Sequence, residues 1–205
     1  MTSVRRRVLG FTMVELMITL TVVLVISLLA VPSFISFRQR AALRGAAEQA
    51  QSFWNQARLE AAKRNSLVKV GVFVDGSNFC MGAATTTLTA TDNDEPCDCT
   101  SSTGCDVAAF PGFLADGTSD QSEWRGVFLE GTPTLGNDTG VTVIESRRTA
   151  LIDATTEGSI TFAAPEGAND YRLNLHVDRQ GRAILCQSTS AGDLMSDYQT
   201  RNCDP

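Results

Sequence analysis

The chain has 205 residues, 43% of them hydrophobic and 20% charged, which excludes a mostly disordered protein and sets the expectation of one globular domain with at most one appendage. The formal net charge of −6 is unevenly spread: residues 1–10 carry Arg5, Arg6 and Arg7 and no acid, residues 38–64 are locally +4, and residues 65–205 are locally −12. An acidic bulk disfavours a general phosphate-binding surface, and a single histidine leaves little material for triad or metal chemistry.

The first element is the run Phe11–Val31, FTMVELMITLTVVLVISLLAV, which holds one charge, Glu15. As a helix it spans roughly 30 Å, the thickness of a bilayer's hydrocarbon core. The arginines before it are expected to stay cytoplasmic, which sends everything after Val31 across the membrane. A cleaved secretory signal peptide fits poorly, because the apolar run is long and its exit lacks a small-x-small site. A plain anchor leaves Glu15 unexplained, since a carboxylate at membrane depth costs about 2.5–3.5 kcal/mol even on lenient scales.

The residues Gly10-Phe11-Thr12-Met13-Val14-Glu15-Leu16, behind a short basic leader, resemble the class III signal of type IV prepilins and pseudopilins. The resemblance implies a leader 1–10 cut by a prepilin peptidase after Gly10, methylation of the new N-terminus at Phe11, and pairing of Glu15 with the terminal amine of a neighbouring subunit. That pairing is physically sound, because a buried carboxylate is tolerable beside a cation and cleavage creates one.

Pro32 stands at the end of the apolar run, where a proline kinks or ends a helix; pilin-like proteins often carry one there. The next stretch favours continuation. Leu43, Ala46, Ala47, Ala50, Phe53, Trp54, Ala57 and Ala61 recur at spacings of three and four, with Arg44, Glu48, Gln51, Asn55 and Arg58 opposite. One helix is therefore expected from Phe11 to about Arg64, a membrane segment 11–31 and an amphipathic segment 32–65, with Gly45 a weak point and Asn65-Ser66 a stop. The run Arg58–Arg64 resembles the end of this helix in the GspH/FimT group of minor pilins and pseudopilins.

From Leu67 the period changes to that of strands. Candidates are 67–74, 124–130, 141–147, 159–163, 171–177 and 182–187, separated by turn residues, with Asp178–Gly181 a tight hairpin. The fold class expected is α+β and pilin-like: a long N-terminal helix packed on an antiparallel, sandwich-like β domain over 66–205. Residues 75–120, rich in Thr, Ser, Asp and Gly, read as a long variable loop.

All six cysteines, Cys80, Cys97, Cys99, Cys105, Cys186 and Cys203, follow the membrane segment, so disulfides are expected. Cys186–Cys203 is favoured as a C-terminal staple, the other four closing the 80–105 loop, and Cys97 and Cys99 stand too close to pair with each other. Asp92, Asp94, Glu95, Asp98 and Asp106 match no calcium-loop or zinc spacing and read as a solvated acidic loop, so neither metal nor cofactor is expected. His176, near Asp178, has no nucleophile motif beside it, and no enzyme is expected.

Within the resembled group, some members bind DNA through a C-terminal G-R-x-R motif. Here Gly181-Arg182 keeps its first half and lacks the second arginine, while Arg147, Arg148, Arg172 and Arg179 are candidates to gather near Arg182. Nucleic acid is thus a disfavoured partner. The leading expectation is a type IV pilus minor pilin in the inner membrane, its β domain periplasmic, partnered by prepilin peptidase, other minor pilins and the major pilin. A type II secretion pseudopilin and a DNA-binding competence pilin are the alternatives.

Overall fold

The computed structural model describes residues 11–75, 78–87, 95–120, 122–124, 126–135, 140–148, 150–152, 157–166 and 169–187, together with Met195, Tyr198 and Cys203. Side chains at 29–33, 123, 165, 166, 169 and 170 lie outside this description. The chain divides into two compact units, Met1–Arg38 and Gln39–Pro205.

A single helix, α1, runs Met13–Arg64, so the backbone stays helical through position 32. Thr12 caps it: its hydroxyl accepts the Glu15 backbone N–H at 3.2 Å. Thr12-x-x-Glu15 is a capping-box spacing, and it sets an acid in the first turn, where the helix dipole favours it. The polar residues of the apolar run are satisfied within the helix. Thr19 donates to the Leu16 carbonyl, Thr21 to that of Met17 and Ser27 to that of Val23 at 2.8–2.9 Å. Phe11, Leu16, Leu20, Leu24 and Leu28 are exposed, so the described residues of this unit form no core of their own.

In the second unit, the predicted face of α1 is the centre of the core. Leu43, Ala46, Ala47, Ala50, Trp54, Ala57 and Ala61 are fully buried and Phe53 nearly so. Leu43, Phe53 and Trp54 each contribute about 1.5–3 kcal/mol by leaving water. The helix ends in a Schellman motif: Ser66 N–H reaches the Ala61 carbonyl, Asn65 N–H reaches that of Ala62, and Asn65 takes a left-handed φ of 48°.

Among the described residues eight strands follow: β1 Leu67–Asp75, β2 Asn78–Thr86, β3 Ala108–Phe110, β4 Phe128–Glu130, β5 Val141–Ile144, β6 Gly158–Glu166, β7 Asn169–Val177 and β8 Ala183–Gln187. They form two antiparallel sheets, ordered β3-β2-β1-β5 and β4-β6-β7-β8. An aromatic seam joins them: Phe79 packs on Phe110 of the first sheet and edge-on against Phe162 of the second, centroids 6.1 and 5.7 Å apart. Phe110 also meets Trp124. The Trp124 ring lies against Gly45, where an added Cβ would come within 2.9 Å of it. Gly45 thus gives up helix propensity to admit an indole.

Several expectations need correction. The stretch 75–120 is not one loop, because it contributes β2 and β3. β2, NFCMGAATT, escaped notice because it is buried on both faces and its middle, Cys80–Ala84, holds small residues and Met81, with neither alternation nor β-branching there. The strand expected at 124–130 is only β4; Ser122–Trp124 is a 3₁₀ turn and Gly126 has a φ of 87°. β5 stops at Ile144, and β6 extends to Glu166 through its ladder with β7.

The two-sided burial of the first sheet has a definite cause. Val68, Val70, Val72, Phe79, Met81 and Ala83 face the core with α1. On the opposite face Gly71 and Gly82 are register partners. A Cβ on Gly71 would fall 2.5 Å from Pro96, and one on Gly82 would fall 2.5 Å from both Cys97 and Cys105 Sγ. The glycine pair forms a flat window on which the cysteine-rich loop sits.

Gly82→Ala is therefore expected to lower stability by about 1–3 kcal/mol, the scale of core overpacking. Gly112→Ala, with nothing within 4 Å of its added methyl, serves as the control. Thermal melts of both compare directly; equal melting temperatures would refute the seating of the loop on this window.

Candidate functional site

The candidate assembly site lies at the start of α1. Gly10, the expected cleavage position, is outside the described residues. Phe11 is 79% exposed at the first described position. Glu15 is exposed at the third helical position, and among the described residues its carboxylate has no partner. Sequence reasoning gave Glu15 an assembly role and missed Thr12 as the N-cap that takes its backbone N–H, although the Thr12-x-x-Glu15 spacing was legible. Pro32 lies within the helix, its side chain outside the description. Among the described residues no helix is long and apolar enough to cross a membrane; the described side chains of the apolar run stop at Leu28.

The six cysteines form Cys80–Cys99, Cys97–Cys105 and Cys186–Cys203. The first two cross-link the loop to β2 and to itself. The third has a different task. Cys186 lies on the β8 face turned away from the core, opposite Asn174 in register, whereas Met195 and Tyr198 belong to the core cluster. Cys203 is thus bonded to the outward face of the edge strand β8, while Met195 and Tyr198 join the core. Tyr198 donates its hydroxyl to Glu48 at 2.9 Å and lies under the Arg44 guanidinium, tying the tail to α1.

The hairpin at Asp178–Arg182 also serves the helix. Gly181, with φ 72°, turns its carbonyl toward Trp54, whose indole N–H donates to it at 2.8 Å. Gln51 donates to the Ala183 carbonyl beside it.

The candidate arginines do not act as one set. Arg182 is bound to the Asp178 carboxylate at 2.7 Å, and its backbone N–H donates to the same group. Arg172 on β7 is paired with Glu130 on β4, reaching across β6 in the second sheet. Arg147 and Arg148 occupy the turn after β5, and Arg179 is exposed in the β7–β8 hairpin. Arg172 and Arg182 are thereby each matched by a nearby acid.

His176 does not meet Asp178, which is committed to Arg182; its Nε2 lies 3.3 Å from Glu157. Among the described residues no three His, Cys, Asp or Glu side chains are placed to hold a metal ion. Asp92 and Asp94 lie outside the description. Asp98 and Asp106 are occupied locally. Asp98 accepts the Thr100 hydroxyl and N–H, and Asp106 binds Thr85 and Arg64, joining the loop to the end of α1.

Residues 5–31 match the family model described as the prokaryotic N-terminal methylation motif. No curated protein matches the chain significantly. Two crystal structures of the type IV minor pilin FimU of Pseudomonas aeruginosa, strain PAO1, in space groups P21 and P65, are similar to it. Identities are 16% and 14%, coverage is 76% and 72% of this chain and 96% and 95% of theirs, and TM-scores are 0.46 and 0.43. Scores below one half leave the functional argument to the motif and the chain's own geometry.

The loop aspartates generate a pH dependence. Hydrogen bonds from the Thr100 hydroxyl and N–H hold Asp98 below the ordinary aspartate value of 3.8; Thr118 does the same for Asp116, and Ser122 for Asp120. At Asp106 burial pushes upward, but Thr85 and Arg64 outweigh it and the net shift is downward. A depressed carboxylate stabilises the fold above its unfolded value and loses that contribution as pH falls through its folded value. The melting temperature should hold steady down to the ordinary aspartate range and fall below it, with disulfides intact. A melt unchanged to about pH 2 would contradict this linkage.

Proposed function

We propose that this chain is a minor pilin of a type IV pilus, cut by a prepilin peptidase between Gly10 and Phe11, methylated on Phe11, and assembled through its apolar helix. The observation that carries the reading is the methylation motif over residues 5–31 running without a break into the helix Met13–Arg64.

The physical chemistry of each part supports this role. The apolar segment has its hydroxyls satisfied internally and its large side chains uncovered, so it needs a lipid or helical environment supplied from outside the chain. Before cleavage the inner membrane provides it; afterwards the helices of neighbouring pilins do. All six cysteines are paired, which suits a β domain on the oxidising, periplasmic side. Thr12 already satisfies the Glu15 backbone, which leaves the carboxylate free to receive the methylated terminal amine of a neighbour.

Glu15→Gln separates the two roles of this residue. Glutamine keeps the backbone N–H that the Thr12 hydroxyl caps but removes the charge. Breaking one side of a buried ion pair costs about 3–5 kcal/mol, so incorporation into filaments should fall by roughly a hundredfold or more while leader cleavage proceeds. Incorporation of Glu15→Gln at wild-type levels, with only Glu15→Ala impaired, would reduce Glu15 to a helix-start residue. A bulky replacement of Gly10 should block cleavage, visible as a retained leader by mass spectrometry.

The whole reading is tested by deleting the chain, shearing surface filaments and quantifying the major pilin against a complemented strain. Loss of surface pilin is the expected result. Unchanged piliation would overturn the pilus role and favour the secretion pseudopilin. The DNA reading is weaker than its motif suggests, since Arg182 and Arg172 are both held by carboxylates.

A further inference from the structure

The outer face of the first sheet carries a cleft of about 330 Å³ at the end of the β1–β2 hairpin where Asp75 pairs with Asn78. Its lining combines Phe73, Asp75, Asn78 and Cys80 from the two strands with Thr100, Thr118 and Ser119 from the loops above. The register explains the juxtaposition. Phe73 pairs with Cys80 and Asp75 with Asn78, so an aromatic ring, a carboxylate and a carboxamide share one face within two residues of each other. The Cys80–Cys99 bridge holds Thr100 beside them, and a bridge between Ser101 and Thr118 brings in the second loop.

The chemistry of this lining is specific. Thr100 donates its hydroxyl hydrogen to Asp98 and Thr118 donates its own to Asp116, at 2.5 and 2.6 Å. Each hydroxyl therefore offers an incoming molecule lone pairs rather than a hydrogen. Asp75 adds a carboxylate acceptor, and Asn78 adds both a donor and an acceptor. Phe73 remains 43% exposed beside them, an apolar surface left in water on an otherwise polar edge. An acceptor-rich rim around an exposed ring suits a ligand with many hydroxyl donors and one apolar C–H face. The volume is at the lower end for small-molecule sites and matches one or two sugar rings.

We propose that this cleft binds a neutral pyranose sugar, its C–H face on Phe73 and its hydroxyls on Asp75, Asn78 and the two threonine oxygens. The site is distinct from the α1 start that the assembly role uses, and it does not depend on that role. The two aspartates that orient the threonines are working parts of the site, which gives the acidic cysteine loop a purpose beyond covering the sheet.

The test uses the full chain in a zwitterionic, sugar-free detergent. Saturation-transfer NMR is recorded with methyl α-glucoside, methyl β-galactoside and N-acetylglucosamine as probes. Transfer to the ring C–H protons of at least one probe is expected. Its affinity should fall at least about tenfold, the scale of one good contact, in Phe73→Ala and in Asp75→Asn. Phe73→Tyr should retain it, and thermal melts establish that each variant is folded. Transfer to none of the three sugars, or transfer that Phe73→Ala and Asp75→Asn leave unchanged, would overturn the proposal. Binding of tetramethylammonium with no sugar bound would also overturn it and make the cleft a cation site.

Discussion

The seating of one helical face, Leu43 to Ala61, is the interaction on which the second unit depends. That face is mostly alanine, so backbones approach closely and the few large side chains, Leu43, Phe53 and Trp54, do most of the apolar burial. Trp54 also fixes orientation, because its indole N–H must find an acceptor once buried and finds it at Gly181. The β7–β8 hairpin is consequently positioned by the helix as much as by its own ladder. Gly45 extends the same logic at the other end of the face, where the missing side chain admits Trp124 and, through Phe110 and Phe79, joins both sheets to the helix.

The first sheet is covered on both sides by different means. Its inner face is an ordinary apolar core. Its outer face has too little apolar side chain to hold a cover by burial alone, so a flat glycine window and two disulfides hold the loop there. The loop's aspartates then organise its turns, and one of them ties it to Arg64 at the end of α1. Cross-links, carboxylate turns and the glycine pair are parts of one arrangement, and the cleft at the hairpin end follows from it.

Glu15 shows how one residue can answer two requirements. Its backbone N–H is taken by the Thr12 cap, and the proposed pairing with a neighbour's terminal amine uses its carboxylate. The two act on different atoms, so they do not compete. The arginines of the second sheet teach the opposite lesson. Read along the chain they look like a cluster, yet Arg172 and Arg182 each sit beside a carboxylate that the strand register or the hairpin turn supplies.

The sequence by itself determined the elements whose cause is local. The leader motif, the apolar run and the three-and-four spacing of the α1 face are all periodic or contiguous signals, and so are the Asn65 stop, the Asp178–Gly181 turn and strands β1, β6, β7 and β8. Helix and strand periods are imposed by backbone geometry, so they can be read without knowing the neighbours. Only the tertiary structure decided β2, the glycine window, the pairing of four cysteines and the fate of the arginines. These depend on which distant residues meet. β2 is a strand because β1 and the core lie on one side and a disulfide loop on the other, and no property of NFCMGAATT alone announces that. The same holds for the cleft, whose chemistry appears only when Phe73, Asp75 and Asn78 are brought onto one face and the threonines are folded down beside them.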